Sequence, residues 1–239
     1  VDRAAGLSAL SSGAVGQRPP WAERLHWVAG TPVLAWQSEH PWLALSSAVH
    51  GGGLGERRWV INASVEKGYD RPDPDRHVTE MADEIGLTGP GVGLLTAVDV
   101  RLAVLGADSG VVVSATTGIG LHPTWAASPA PAVASPEPGT INTICWLPVR
   151  LSESALVNAV MTVTEAKAQV LRQAGVPGTG TPTDSVVLLC PTTGPAERYG
   201  GPRSSVGSAL ARAAHAAVEA GLRLLTTGGY ARSEWPSRG

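Results

Sequence analysis

Phenylalanine is absent from this chain of 239 residues, and cysteine and methionine occur twice each. Cys145 and Cys190 each lie in an apolar, strand-like run, so no disulfide framework is expected and a reducing, cytoplasmic setting suits the chain. Excess charge of one sign is lacking too. The formal net charge is −2, which leaves no broad basic field for nucleic acid or an anionic membrane. No apolar run approaches the length that crosses a bilayer, and Val1 to Val15 lack the basic-then-apolar pattern of an export leader. The six histidines are scattered, with no HxH or HxxxH spacing, so no metal site is expected. Eight tryptophans partly replace the missing phenylalanine. Filling core volume is their ordinary use, and stacking on a large planar ligand is the other.

The length suffices for a sizeable core, and one domain over residues 1–225 with a polar tail at 226–239 is expected. Residues 32–37 and 42–48 read as strands separated by a turn at Glu39-His40-Pro41. Gly51-Gly52-Gly53 breaks the chain, and residues 58–65 resume strand character. Asp73-Pro74-Asp75 opens a helix that ends near Ile85 and Gly86. Residues 93–98 and 110–115 are β-branched and apolar, as buried strands are. Residues 122–138 hold five prolines and read as an exposed connector. A strand at 140–149 follows, then a helix capped by Ser152 and stopped by Gly175. A loop at 178–184, a strand at 185–190, a Gly-rich loop at 199–203 and an Ala-rich helix at 205–224 complete the chain. Strands and helices alternate loosely, with direct strand-to-strand steps, so the expected class is α/β (α+β), a layered sandwich.

The helix from Ser152 contradicts its own pattern. Leu156, Val160, Val163 and Leu171 share a face at three- and four-residue steps, yet Lys167 falls in its middle. Such a lysine snorkels, pairs with a carboxylate such as Asp184, or serves a site. Glu165 lies on the opposite side and is no partner for it along the helix.

Gly139-Thr140, between the Pro-rich connector and an apolar strand, suits a threonine placed for amide chemistry. A threonine hydroxyl needs a base. Cleavage of the preceding bond would supply one, a free α-amino group of pKa about 8, and Gly139 tolerates the dihedrals that such a bond requires. Backbone N–H groups at Thr117-Gly118 are candidates to hold an oxyanion. The loop Gly178 to Asp184 lacks the ending of a phosphate-binding P-loop, and its hydroxyls suit a site wall. Candidate catalytic residues are therefore Thr140, Lys167, Glu165, Asp184, Thr117 and Gly118. Candidate substrate contacts are Asn62, His50, Asn142, Thr181 and Thr183. Asn62 reads equally as a hydrogen-bonded core amide, and His50 as a solvated or structural histidine.

In series, His50-Gly51-Gly52-Gly53, Ile61-Asn62, Leu95-Thr96-Ala97, Thr116-Thr117-Gly118, Gly139-Thr140-Ile141-Asn142, Thr164-Glu165-Ala166-Lys167, Thr179 to Asp184 and Tyr199-Gly200-Gly201 resemble the adenosylcobinamide amidohydrolase family over about residues 45–220. The resemblance implies an enzyme of corrinoid salvage. Such an enzyme cuts the aminopropanol amide of adenosylcobinamide to give adenosylcobyric acid, with no added cofactor. It also implies an open cleft with some tryptophan contact. Pro182 departs from the family's usual glycine. A more distant similarity, to ornithine acetyltransferases and DmpA-type aminopeptidases, implies an αββα sandwich with Thr140 as a nucleophile that self-cleavage exposes. The expected partner is a small-molecule corrinoid, and a homo-oligomer stays open. The rival readings are a threonine amidase for another amide, a non-catalytic corrinoid binder and a phosphate-binding module.

Overall fold

The computed structural model describes residues 23–120, 123–127 and 138–227. Residues 1–22, most of the Pro-rich connector and the polar tail beyond Thr227 lie outside the described residues. Among the described residues, eight strands form one hydrogen-bonded sheet. They are β1 (Arg24–Val28), β2 (Thr31–Ser46), β3 (Gly53–Ser64), β4 (Gly91–Thr96), β5 (Val104–Asp108), β6 (Val111–Gly120), β7 (Pro138–Trp146) and β8 (Ser185–Pro191). Their order is β4-β3-β2-β8-β7-β6-β5, with β1 added to β2. β3–β4 and β7–β8 are parallel, and each pair is joined by the helical crossover that parallel strands need: α1 (Pro74–Glu84) and α2 (Glu153–Gln173). A third helix, α3 (Ser205–Thr227), follows β8.

The sheet folds over on itself at β2 and β3. Val33–Gln37 of β2 pairs with Trp59–Ala63 of β3, whereas Trp42–Ser46 pairs with Gly53–Arg57 and, on its other edge, with β8. Between these halves the register slips, five steps along β2 (Gln37 to Trp42) against two along β3 (Trp59 to Arg57). The turn expected at Glu39-His40-Pro41 is thus an irregularity inside one strand. Pro41 has no N–H to give a ladder, and a bulge removes the demand while bending the strand. The bend carries the β2–β3 tip back to β4, where the Gly93 N–H donates to the His50 carbonyl at 3.1 Å. The Arg57 guanidinium fastens the tip, donating to the Gly51 carbonyl from Nε at 3.1 Å and Nη2 at 2.9 Å.

Folding over makes four layers. α2 and α3 cover one outer face with Leu156, Val163, Leu171, Leu210 and Ala213, packed on Val113, Ile141 and Leu188. The inner layer joins Trp36, Val60 and Leu94 of one half to Val112, Ile144 and Leu189 of the other. α1 covers the second outer face with Val78 and Met81 on Ile61 and Ala63. Both faces of each half are therefore buried, which explains why the strands read as unbroken apolar runs. The stack α–β–β–α is the layered sandwich expected of the sequence. Trp36, Trp42, Trp59 and Trp146 are all buried in it, so much of the tryptophan serves as core volume.

Two strands escaped the sequence reading. β1 carries Arg24 and His26 among its five residues, and β5 ends in Gly106-Ala107-Asp108; neither has the apolar run of a central strand. β5 is held by α3, where Arg212 Nε and Nη2 bind Asp108 at 2.7 and 2.8 Å. That guanidinium pulls the Asp108 carboxyl down to about 2.

The folded-back tip depends on Gly51, whose φ is +67° and whose absent Cβ would sit 1.9 Å from the Gly91 carbonyl oxygen. Gly53 also has a positive φ, +81°, but faces open space. Gly53→Ala should lose only the left-handed penalty, about 1–2 kcal/mol. Gly51→Ala adds a backbone overlap and should cost roughly 1–3 kcal/mol more. Urea denaturation of both variants checks this, and equal losses would refute the close approach of tip and β4.

Candidate active site

Along β7 the side chains alternate. Ile141 and Cys145 enter the layer under α2 and α3, while Ile144 and Trp146 enter the inner layer. Thr140 and Asn142 share the inner parity. Thr140 therefore lies at the end of the inner layer, beside the point where the other half of the folded sheet releases β3 and β4. A cleft of about 770 Å³ opens there. Leu94, Val98, Ile119 and Val176 give it apolar walls, and Thr140, Thr183 and Ser185 bring hydroxyls.

The hydroxyls are wired in sequence. Thr183 Oγ1 donates to the Gly139 carbonyl at 3.0 Å and lies 2.6 Å from Thr140 Oγ1. Thr183 has one hydroxyl proton and Gly139 takes it, so Thr140 is the donor in the second contact. Thr140 itself is only 8% exposed.

The next residue, Asp184, gathers four donors. Its Oδ1 accepts from the Ile141 N–H at 2.9 Å and from Thr181 Oγ1 at 2.5 Å, and its Oδ2 accepts from the Thr181 N–H at 3.0 Å and from Lys167 Nζ. The lysine and aspartate side chains are each 13% exposed. Lys167 thus pairs with a carboxylate, one of the options its place on an apolar face left open. Leu156, Val163 and Leu171 around it are fully buried, each contributing about 1.5–3 kcal/mol, which outweighs carrying one paired ammonium on that face. Gly180 makes room for the pair, since a Cβ there would lie 2.5 Å from Asp184 Oδ2 and 2.7 Å from Lys167 Nζ. A loop built around a carboxylate is also no cradle for phosphate.

Several candidates are placed elsewhere. Thr117-Gly118 is not a turn but part of β6. Ile141 turns its N–H to the β8 side, so Thr140 turns its own toward β6, and Gly118, its register partner, spends its N–H in the ladder. Thr117 points its hydroxyl at Gly221 of α3. The Gly118 amide is thus committed to the ladder, and Thr117 is not part of the cleft lining. Glu165 is exposed on α2 and is not part of the cleft lining. Asn62 and Asn142 are 2% and 1% exposed and tie the two sheet halves together. Asn142 Nδ2 donates to Asn62 Oδ1 at 3.0 Å and to the Leu95 carbonyl at 3.1 Å, and Asn62 Nδ2 donates to Thr116 Oγ1 at 3.1 Å. His50 stacks on Trp59, with ring centroids 5.5 Å apart, outside the lining. Burial pushes both cysteine thiols up, which removes them as nucleophiles. Tyr199-Gly200-Gly201 packs on α2, where Thr162 Oγ1 donates to the Gly200 carbonyl at 2.8 Å.

The described start of the connector, residues 123–127, is tied to the loop. Thr124 exchanges backbone hydrogen bonds with the loop, donating to Gly180 at 2.8 Å and accepting from Thr179 at 2.9 Å. Expected tryptophan contacts are missing from the described lining, whose aromatic residue is Tyr69. Tyr69 and Ser185 escaped the sequence reading, and the Glu66-Lys67-Gly68-Tyr69 turn after a strand was the available signal for the first. Among the described residues, no group of three or more His, Cys, Asp and Glu could hold a metal, and no helix is long and apolar enough to cross a membrane.

Fold and cleft together define a layered α+β protein with a hydroxyl-bearing ligand cleft at the end of its inner layer. The family model described as adenosylcobinamide amidohydrolase matches residues 21–228, and the chain belongs to that family. A protein of that description from Methanosarcina mazei is 30% identical over 190 residues, 76% of this chain and 90% of its own. Another, from Halobacterium salinarum, is 38% identical over 86 residues, 36% of each chain. Among solved structures, the crystal structure of the PH0078 protein from Pyrococcus horikoshii OT3 is similar over 81% of this chain and 76% of that one, with a TM-score of 0.38 and 14% identity.

The four donors predict an order of damage. Lys167→Met removes one charge-assisted bond but leaves Asp184 three donors and adds an apolar side chain to an apolar face, and should cost about 1–2 kcal/mol. Asp184→Ala strands the lysine and frees both the loop and the start of β7, and should cost about 2–4 kcal/mol. Denaturant midpoints, with hydrogen exchange at the Ile141 amide, measure both, and equal costs would mean that the carboxylate is not the hub.

Proposed function

We propose that this protein hydrolyses the aminopropanol amide of adenosylcobinamide, releasing adenosylcobyric acid and 1-amino-2-propanol, with Thr140 as the nucleophile. The observation that carries the reading is a family match spanning the folded chain together with a threonine hydroxyl in the lining of its cleft. In the proposed course Thr140 Oγ bonds to the amide carbonyl carbon. The C–N bond breaks, the amine leaves with a proton, and water then cleaves the resulting ester and restores the hydroxyl.

The proton of Thr140 needs an acceptor. Its neighbour is the Thr183 hydroxyl, which is no base at neutral pH. Lys167 is engaged with Asp184, and Glu165 is exposed on α2. These placements favour the form in which the bond after Gly139 is cut and the freed Thr140 amino group, with a pKa of about 8, takes the proton. The Thr183 hydroxyl on the Gly139 carbonyl supports this, because a donor there polarises the bond to be cut. The same hydroxyl is placed to donate to an oxyanion beside Thr140, the role first assigned to Thr117 and Gly118. In this reading Asp184 and Lys167 fix the loop that carries Thr181 and Thr183. The small-molecule partner is a corrinoid, and its salvage is a cytoplasmic task.

Incubation with adenosylcobinamide, detection of free 1-amino-2-propanol and intact mass of the protein test the reading together. Thr140→Ala should lower the rate by several decades. Corrinoid binding without release of the amine by the wild type would make the protein a binder instead. Turnover by a single uncut species would eliminate the amino group as the base.

A further inference from the structure

The 65–73 segment carries a feature that the proposed chemistry does not use. Where the chain leaves β3, Glu66 to Tyr69 form a tight turn along the cleft. The Tyr69 N–H donates to the Glu66 carbonyl at 3.1 Å, with Gly68 at a φ of +79°. An exposed turn of this kind ordinarily lets its aromatic residue swing. Here the Tyr69 hydroxyl lies 2.9 Å from His77 Nδ1, and the two rings stack nearly parallel, 17° apart. Burial, then the charge of Arg71, hold His77 below the usual imidazole range, while burial raises the Tyr69 phenol. A neutral imidazole therefore shares a hydrogen bond with a neutral phenol. Two residues further on, Arg71 binds Asp73 at 2.6 Å and Glu80 at 2.9 Å. The turn is strapped to α1, and α1 is anchored through Val78 and Met81 in the outer core.

These ties leave Tyr69 half-buried and immobilised in the lining, with its polar atom already satisfied on the side of α1. What it offers a ligand is the aromatic ring. Four of the tryptophans that a large ring substrate was expected to meet are buried in the core, and Tyr69 is the aromatic residue of the described lining. We propose that Tyr69 is a specificity-determining contact for the macrocycle of the substrate, held ready by His77, so that the cleft selects an amide carried by a large apolar ring over the same amide on a small acid. This rests on the corrinoid reading above.

The test compares wild type, Tyr69→Ala and Tyr69→Leu on two substrates, adenosylcobinamide and the propionamide of 1-amino-2-propanol, with melting temperature as the folding control. Tyr69→Leu keeps the bulk and apolarity that Tyr69→Ala gives up. Loss of the aromatic contact should weaken corrinoid binding and raise KM about tenfold, with kcat within about twofold and kcat/KM for the small amide unchanged. Equal corrinoid affinity in folded Tyr69→Leu and wild type would overturn the assignment while leaving the enzyme reading intact. A parallel loss on both substrates would also overturn it, since that is the mark of a structural role. A wild type that neither binds nor cuts adenosylcobinamide would remove the functional reading and this inference with it.

Discussion

One carboxylate organises the working end of the molecule. Asp184 closes the loop through Thr181, holds the first turned-away amide of β7 through Ile141, and neutralises Lys167 on α2. Three elements distant in sequence are thereby fixed to one another at two oxygen atoms. Hydrogen bonds to an ionised group are worth about 1.5–3 kcal/mol each, several times a typical exposed ion pair. The consequence is positional. Thr183 precedes Asp184, and Thr140 precedes Ile141. A bond from Asp184 to Ile141 therefore brings the two hydroxyls together, and their 2.6 Å contact follows from it.

The cleft in turn exists because the sheet folds over. Had β2 run straight, its two halves would have lain in one plane and the ends of β4 and β7 would not face each other. The slip between Gln37 and Trp42 superposes them, and the Asn62–Asn142 pair bolts them together. A buried amide pair is costly unless each group finds a partner. Both Nδ2 groups and Asn62 Oδ1 find partners, which fixes the spacing of the halves beside Thr140, while Asn142 Oδ1 is left without a protein partner. The asparagines shape the site from behind it.

Much of this was legible in the sequence, for identifiable reasons. The ends of α2 could be read because Ser152 and Gly175 are strong local signals, and Lys167 announced a partner because a charge on an apolar stripe demands one. The Gly139-Thr140-Ile141-Asn142 run pointed to the candidate site because it changes abruptly from Pro-rich to strand-like. What could not be read depends on contacts between distant residues. Pro41 looks like a turn until the partner strand shows that the ladder resumes beyond it. Thr117-Gly118 looks like a free Gly-containing turn until β7 pairs with it. Asn62 offers the same amide to a core network and to a ligand, and only the position of Asn142, eighty residues away, decides between them.

The distribution of aromatic side chains bears on selectivity. With no phenylalanine, the chain fills its inner layer with tryptophan. Trp36 and Trp146 pack there with centroids 5.3 Å apart. Rings so enclosed cannot meet a substrate. A cleft that must hold a large ring therefore relies on aliphatic walls for area and on a tyrosine for shape. Tyrosine suits such a rim. Its hydroxyl can be tied to a helix on one side, which spends little rotamer freedom on binding because the ring is already ordered. The same economy explains why the strap of Arg71, Asp73 and Glu80 lies outside the cleft. Its charges stay solvated where they cost little, while the cleft keeps its aliphatic walls and hydroxyls beside Glu66, Lys67 and Asp99.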